Sequence, residues 1–200
     1  MNKVRYAFLF VCTIPTLLLS NIDAQAQKLT YEGFMRNKKV GELTAVREVN
    51  DENTKIHIST DIEAHMLVKI EVELKSESTY INQELVESSS ISKMNGHVKS
   101  NVQTVHKNDH YQINADGDDI KISKSSMVGA DIFYFEEPKN ISEVYSLALG
   151  ELLQVEKGEE AGVYFFEQDG KKEYHKYKNG VLAEVHIDHA LYSITFKIKD

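Results

Sequence analysis

This 200-residue chain has one cysteine, two prolines, ten glycines and no tryptophan. Cys12 lies within an apolar run near the amino terminus, so no thiol follows residue 26. Disulfides, cysteine nucleophiles and thiolate zinc sites are excluded together from that part. Scarce proline and scattered glycine exclude a collagen-like or low-complexity chain. Positive charge is also thin: 23 Lys and Arg stand against 31 Asp and Glu, for a net charge of -8. Beyond the first five residues no basic cluster exists to displace counterions, so no nucleic-acid partner is expected. No glycine-rich phosphate loop, metalloprotease helix motif or calcium loop occurs.

What is present begins with an address. Lys3 and Arg5 precede an apolar stretch from Tyr6 to Leu19, broken by Pro15, and Ala24-Gln25-Ala26 is a small-x-small cleavage pattern. Residues 1–26 therefore read as a signal peptide and residues 27–200 as one domain, exported to the periplasm or outside. Cys12 follows Val11 inside the apolar run, where a lipidated cysteine does not belong. Removing Lys3, Arg5 and Asp23 takes the net charge from -8 to -9. No later apolar run approaches the ~20 residues of a spanning helix, so no transmembrane segment is expected after signal removal.

The rest consists of short alternating runs separated by turn residues. Ile56, Ile58 and Ile62 share one parity; so do Met66, Val68, Ile70, Val72, Leu74 and Tyr80, with Lys69, Glu71, Glu73 and Lys75 between. A period of two with one apolar face predicts antiparallel strands. Asn95-Gly96 and Asn179-Gly180 are the strongest hairpin signals, and Asn108-Asp109, Asp116-Gly117 and Gln168-Asp169-Gly170 mark further turns. About eleven to thirteen strands match the strand template. Phe133-Tyr134-Phe135 reads as the end of a strand stopped by Pro138. Asn140-x-x-Glu143 resembles a capping box, predicting one short helix near residues 140–147. The fold class is all-β: a strongly curved antiparallel sheet or incomplete barrel built mostly of hairpins.

Tyr31-x-Gly33, Gly41-Glu42-Leu43, Asn95-Gly96, Phe135-Glu136-Glu137-Pro138 with Tyr145-Ser146, and Glu173-Tyr174-x-x-Tyr177-Lys178-Asn179-Gly180 follow in a telling order. In that order and spacing the chain resembles an uncharacterised family of exported proteins from Gram-negative bacteria, a domain of unknown function. The resemblance runs over nearly the whole chain after residue 26. It implies a β-rich exported protein and carries no activity, ligand or catalytic residue. Asn82-Gln83 departs from the expected Asn-Gly turn, which predicts a looser hairpin there. More distantly, the chain resembles the curved sheets of periplasmic lipoprotein carriers, in which a bent sheet wraps an apolar cavity.

Four sets of residues are candidates for chemistry or binding. Counting back from Asn179-Gly180 pairs His175 with Glu184 and Glu173 with His186, all on one face with Asp188 one step beyond. Such a patch offers ligands for a divalent metal or a general acid and base. The same spacing is what strand alternation produces in a solvated face of cross-strand charge pairs. His106 and His110 flank a turn, where their rings need not converge. Ser88-Ser89-Ser90 lacks the strand-to-helix setting of a nucleophile elbow. Finally, Phe133, Phe135, Tyr145 and Leu149 belong to the densest apolar stretch and are candidates to line a ligand cavity; plain core is the alternative.

These observations favour a non-catalytic binding or carrier module of the periplasm, holding an apolar ligand or a cell-envelope partner segment, without a catalytic residue or cofactor. A metal-binding protein or metal-assisted hydrolase using Glu173, His175, Glu184 and His186 is the first alternative. A structural cell-envelope protein is the second.

Overall fold

The computed structural model describes residues 25–65, 69–168, 171–189 and 192–199. The signal peptide expected at 1–26 lies outside them except for Gln25 and Ala26, as do Met66, Val68 and the Asp169-Gly170 turn. Eight strands run as consecutive hairpins: β1 (Gln25–Met35), β2 (Lys38–Asn50), β3 (Asn53–His65), β4 (Lys69–Ile81), β5 (Glu84–Met94), β6 (His97–Lys107), β7 (His110–Ala115) and β8 (Asp118–Ile122). A 3-10 helix at Ala130–Tyr134 follows. Six more strands complete the chain: β9 (Glu143–Ser146), β10 (Glu151–Lys157), β11 (Val163–Gln168), β12 (Lys171–Lys178), β13 (Val181–His189) and β14 (Tyr192–Ile198).

All fourteen belong to one antiparallel sheet in the order β8-β7-β6-β5-β4-β3-β2-β1-β14-β13-β12-β11-β10-β9. Only β1 against β14 joins strands distant in sequence. The all-β expectation holds, and the sheet is not closed: β8 and β9 are its two edges. It curls until β9 lies inside the curve. Tyr145 of β9 meets Thr104 of β6, and a Cβ on Gly150 would lie 3.3 Å from side chains of Val102 and Ile113.

Turn chemistry accounts for the hairpins. Asn95 and Gly96 have φ of 51° and 75°, and Asn179 and Gly180 have 54° and 80°. These are the left-handed pairs that a type I′ turn needs. Asn82 and Gln83 adopt the same geometry, at 51° and 68°, and Ile81 pairs with Glu84 across them. The expected looseness is absent: sheet twist imposes the primed turn even where a side chain resists it.

The helix expected at 140–147 is corrected. Asn140 has φ 60° and closes a turn instead of capping, and Glu143 opens β9 by pairing with Gln154. Val144, Tyr145 and Ser146 are all buried, because β9 lies inside the curl and is covered on both sides. Its residues therefore lost the alternation that marks a half-exposed strand. Phe133-Tyr134-Phe135 is likewise no strand: Ala130–Tyr134 turns tightly, and Phe135 N–H donates to the Ile132 carbonyl. Fourteen strands stand against the eleven to thirteen expected, and β9 is one where a helix was expected.

The core is one cluster inside the curve. Ile56, Ile58, Tyr80, Leu85 and Ile113 contribute from one half, and Phe166, Leu182, Val185, Ile194 and Phe196 from the other. Between them lie Met127, Phe133, Phe135, Val144, Tyr145 and Leu147, so the segment from 127 to 147 fills the concave side.

Candidate functional site

The inner faces of β4, β5 and β6 are unusual for a core. Alternation would place valine or leucine there, yet Ser76, Ser78, Ser88, Ser90 and Thr104 are buried on this face. Buried hydroxyls need partners, and the filling segment supplies several. Ser78 and Tyr80 both donate to the carboxyl of Asp131, in the first turn of the 3-10 helix. Tyr145 Oη lies 2.6 Å from Thr104 Oγ1. Ser100 donates to the Ala148 carbonyl at 2.7 Å. Tyr111 Oη accepts from Met127 N–H at 3.0 Å and donates to the Leu85 carbonyl at 2.8 Å. Backbone bonds finish the seam: Leu85 N–H to Met127, and Tyr145 N–H to Val128.

Asp131 is the only buried carboxylate among the described residues. Burial pushes its pKa up, and the bonds from Ser78 and Tyr80 oppose that. The same burial pushes the Tyr145 phenol up to about 12, keeping it protonated as a hydrogen-bond partner of Thr104. Gly129 permits this approach, since a Cβ there would stand 2.3 Å from Tyr80 Oη. Thr60 Oγ1 and Ser90 Oγ are buried on the same inner face with no hydrogen-bond partner among the described residues.

Of the cavity candidates, Phe133, Phe135 and Tyr145 are buried in the core cluster, whereas Leu149 is 47% exposed. Arg47 lies over the Phe135 ring, 4.9 Å from its centroid, and pairs with Glu136. The three buried rings pack in the core cluster on the concave side.

The four residues of the last hairpins do not share a face. A β-bulge between Lys176 and Tyr177 shifts the register, so His175 pairs with Val185, Lys176 with Glu184 and Tyr174 with His186. Counting from the turn assumed an unbroken ladder, and the extra residue flips everything beyond it. His175 points inward, its ring centroid 4.2 Å from that of Phe166, with Glu173 3.5 Å from its Nε2. His186 points outward, to Thr195 at 2.9 Å and Asp188 at 3.2 Å, while Glu184 pairs with Lys197. No group of three or more potential ligands converges among the described residues.

His106 and His110 also diverge: His106 stacks on Tyr111 with ring centroids 4.4 Å apart, and His110 bonds Asp109 at 2.9 Å. Ser88 and Ser90 face inward. Ser89 faces outward, where Glu77, Ser89 and Gln103 lie side by side in an open trough of about 330 Å³. A second open cleft, of about 400 Å³, is lined by Glu137, Lys139, Lys157 and Tyr164.

The Asp131 seam went unread in the sequence. Its signal was Ser76 and Ser78 on the apolar parity of a strand, and an aspartate inside the apolar stretch 127–135.

The family profile described as Domain of unknown function (DUF6134) matches residues 31–199. The chain belongs to that family. No curated protein matches it. Among solved structures it is similar to a beta-barrel-like protein of Domain of Unknown Function DUF1849 from Brucella abortus. The TM-score is 0.59 at 7% identity, over 88% of this chain and 96% of that one. This likeness shows the fold alone. The DUF6134 match begins at Tyr31, whose hydroxyl donates to the Leu182 carbonyl at 3.0 Å across the interior. It also takes in Gly41, where a Cβ would collide with the Asp61 carbonyl at 2.0 Å. Two of the residues that carried the resemblance thus hold an interior hydrogen bond and a close approach between strands. No described helix is long and apolar enough to cross a membrane.

Proposed function

We propose that this protein is an exported, non-catalytic binding module of the cell envelope, and that it takes a partner polypeptide segment in preference to an apolar small molecule. The observation that carries this reading is the occupied concave face. Phe133, Phe135, Tyr145 and Leu147 stand where a carried apolar ligand would sit, tied down through Asp131 and Tyr145. Two open spaces outside that core are lined mostly by polar residues: the Glu77–Ser89–Gln103 trough and the Glu137–Tyr164 cleft. Export is supported by the basic start, short apolar run and Ala24-Gln25-Ala26 pattern. Cleavage after Ala26 leaves Gln27, whose side-chain oxygen accepts from Arg47 at 2.9 Å, as the first residue.

Two measurements on protein recovered from its host test the reading. Amino-terminal sequencing should begin at Gln27; an intact Met1 would overturn export. Native mass spectrometry should show the bare polypeptide mass, and in-cell crosslinking should join it to an envelope protein. A stoichiometric lipid mass would overturn the preference for a partner segment and restore the carrier reading, with residues 127–147 displaced.

A further inference from the structure

We propose that the open edge strand β8 pairs with β8 of a second copy, making a weak symmetric dimer through a continuous sheet. The strand reads Asp118-Asp119-Ile120-Lys121-Ile122, and β7 occupies one of its sides. No strand occupies the other side among the described residues. Ala115 pairs with Asp118 across the tight Asp116-Gly117 turn. Peptide groups alternate sides from there, so those of Asp118, Ile120 and Ile122 serve β7 and those of Asp119 and Lys121 face the open side.

An exposed edge is a hazard that charged residues normally guard. Here the guard is self-complementary. An antiparallel copy centred on Ile120 sets Asp119 opposite Lys121 of the second chain, and Lys121 opposite its Asp119. Both are hydrogen-bonded positions, so every backbone donor and acceptor facing the open side finds a partner in this register. The two Asp–Lys pairs lie together on the outer face. On the inner face Ile120, 39% exposed in the single chain, meets its own symmetry mate at the closer, non-hydrogen-bonded position. A register slipped by two residues sets Asp119 opposite Asp119, or Lys121 opposite Lys121, and an uncharged strand leaves the charges unmatched. The edge therefore rejects most strands and accepts this one.

Five residues of strand form a small contact, below the roughly 1,200 Å² of standard stable interfaces. The dimer is accordingly weak and concentration-dependent, and salt weakens it further. It goes beyond the binding-module reading and does not depend on it.

Sedimentation velocity of the purified protein over a wide concentration range tests this. A monomer–dimer equilibrium is expected. Lys121→Asp, which sets carboxylates against each other at both pairs, should weaken association by about tenfold or more; Asp119→Lys should do the same. The swap Asp119→Lys with Lys121→Asp keeps the self-complementary pattern and should restore association to within about threefold of the natural chain. Both side chains are exposed, and unchanged melting temperatures would show the variants folded. A chain that stays monomeric to about 1 mM would overturn the proposal. So would a dimer indifferent to Lys121→Asp, or a swap that fails to restore pairing. Binding of an uncharged alternating Val-Thr peptide by a strictly monomeric chain would assign the edge to foreign strands and overturn self-pairing.

Discussion

Tyr145 Oη on β9 lies 2.6 Å from Thr104 Oγ1 on β6, both buried, and this contact joins one edge of the sheet to its own inner face. Tyr145→Phe leaves the threonine hydroxyl buried without a partner and should cost about 1–3 kcal/mol. Thr104→Val alone should cost a similar amount. The double variant should lose less than the sum of the two, since neither hydroxyl remains to be satisfied. Urea unfolding of the four proteins measures the coupling, and strict additivity would show that the contact carries no energy.

Asp131 should make stability fall as pH rises. Its folded-state pKa is raised by burial, so between the ordinary carboxylate pKa and the raised value the folded chain holds more protons than the unfolded one. The cost of ionising it is complete above the raised value and absent below the ordinary one. A side-chain amide in place of the carboxyl can still meet Ser78 and Tyr80, so Asp131→Asn should fold and lose this slope. Unfolding titrations from about pH 4 to pH 8 compare the two; parallel curves would refute the assignment. Asp131→Ala leaves two hydroxyls unmatched and should destabilise at every pH, by about 2–4 kcal/mol.

Two turns should respond in opposite directions. Nothing lies within 4 Å of a Cβ built on Gly180, so Gly180→Val tests backbone conformation alone, and more than ~1 kcal/mol should be lost. Gln83 already bears a side chain at φ 68°, and Gln83→Gly should gain about 0.5–1 kcal/mol. Thermal unfolding reads both, and a stabilised Gly180→Val would contradict the turn assignment.

Gly41 tests sheet contact in place of turn geometry. Gly41→Ala drives a methyl group into the Asp61 carbonyl and should separate β2 from β3 locally, at about 1–3 kcal/mol or more. Faster amide exchange along Glu42–Thr44 would locate the damage.

Zinc at micromolar concentration should leave the melting temperature nearly unchanged, because His175 and His186 lie on opposite faces of the sheet. A large shift abolished by His175→Gln with His186→Gln would require the bulge at Lys176–Tyr177 to be absent in solution.

Local order was legible wherever it followed from local chemistry. Period-two alternation in 56–62 and 70–80 set strands, and Asn-Gly pairs set turns, because φ preferences and a half-buried face act within a few residues. The lack of cysteine after residue 26 and the thin basic charge excluded whole classes of chemistry by composition. Tertiary structure decided the rest. That β9 lies inside the curl, strand where a capping box suggested helix, depends on Thr104 and Val128, contacts far away in the chain. One bulged residue moved His175 inward and left His186 outside, a choice made by packing on Phe166 that no alternation rule encodes. Asp131 among apolar neighbours gains meaning only when Ser78 and Tyr80, more than fifty residues earlier, are folded against it. Burial of a polar group depends on partners that only the folded chain brings together.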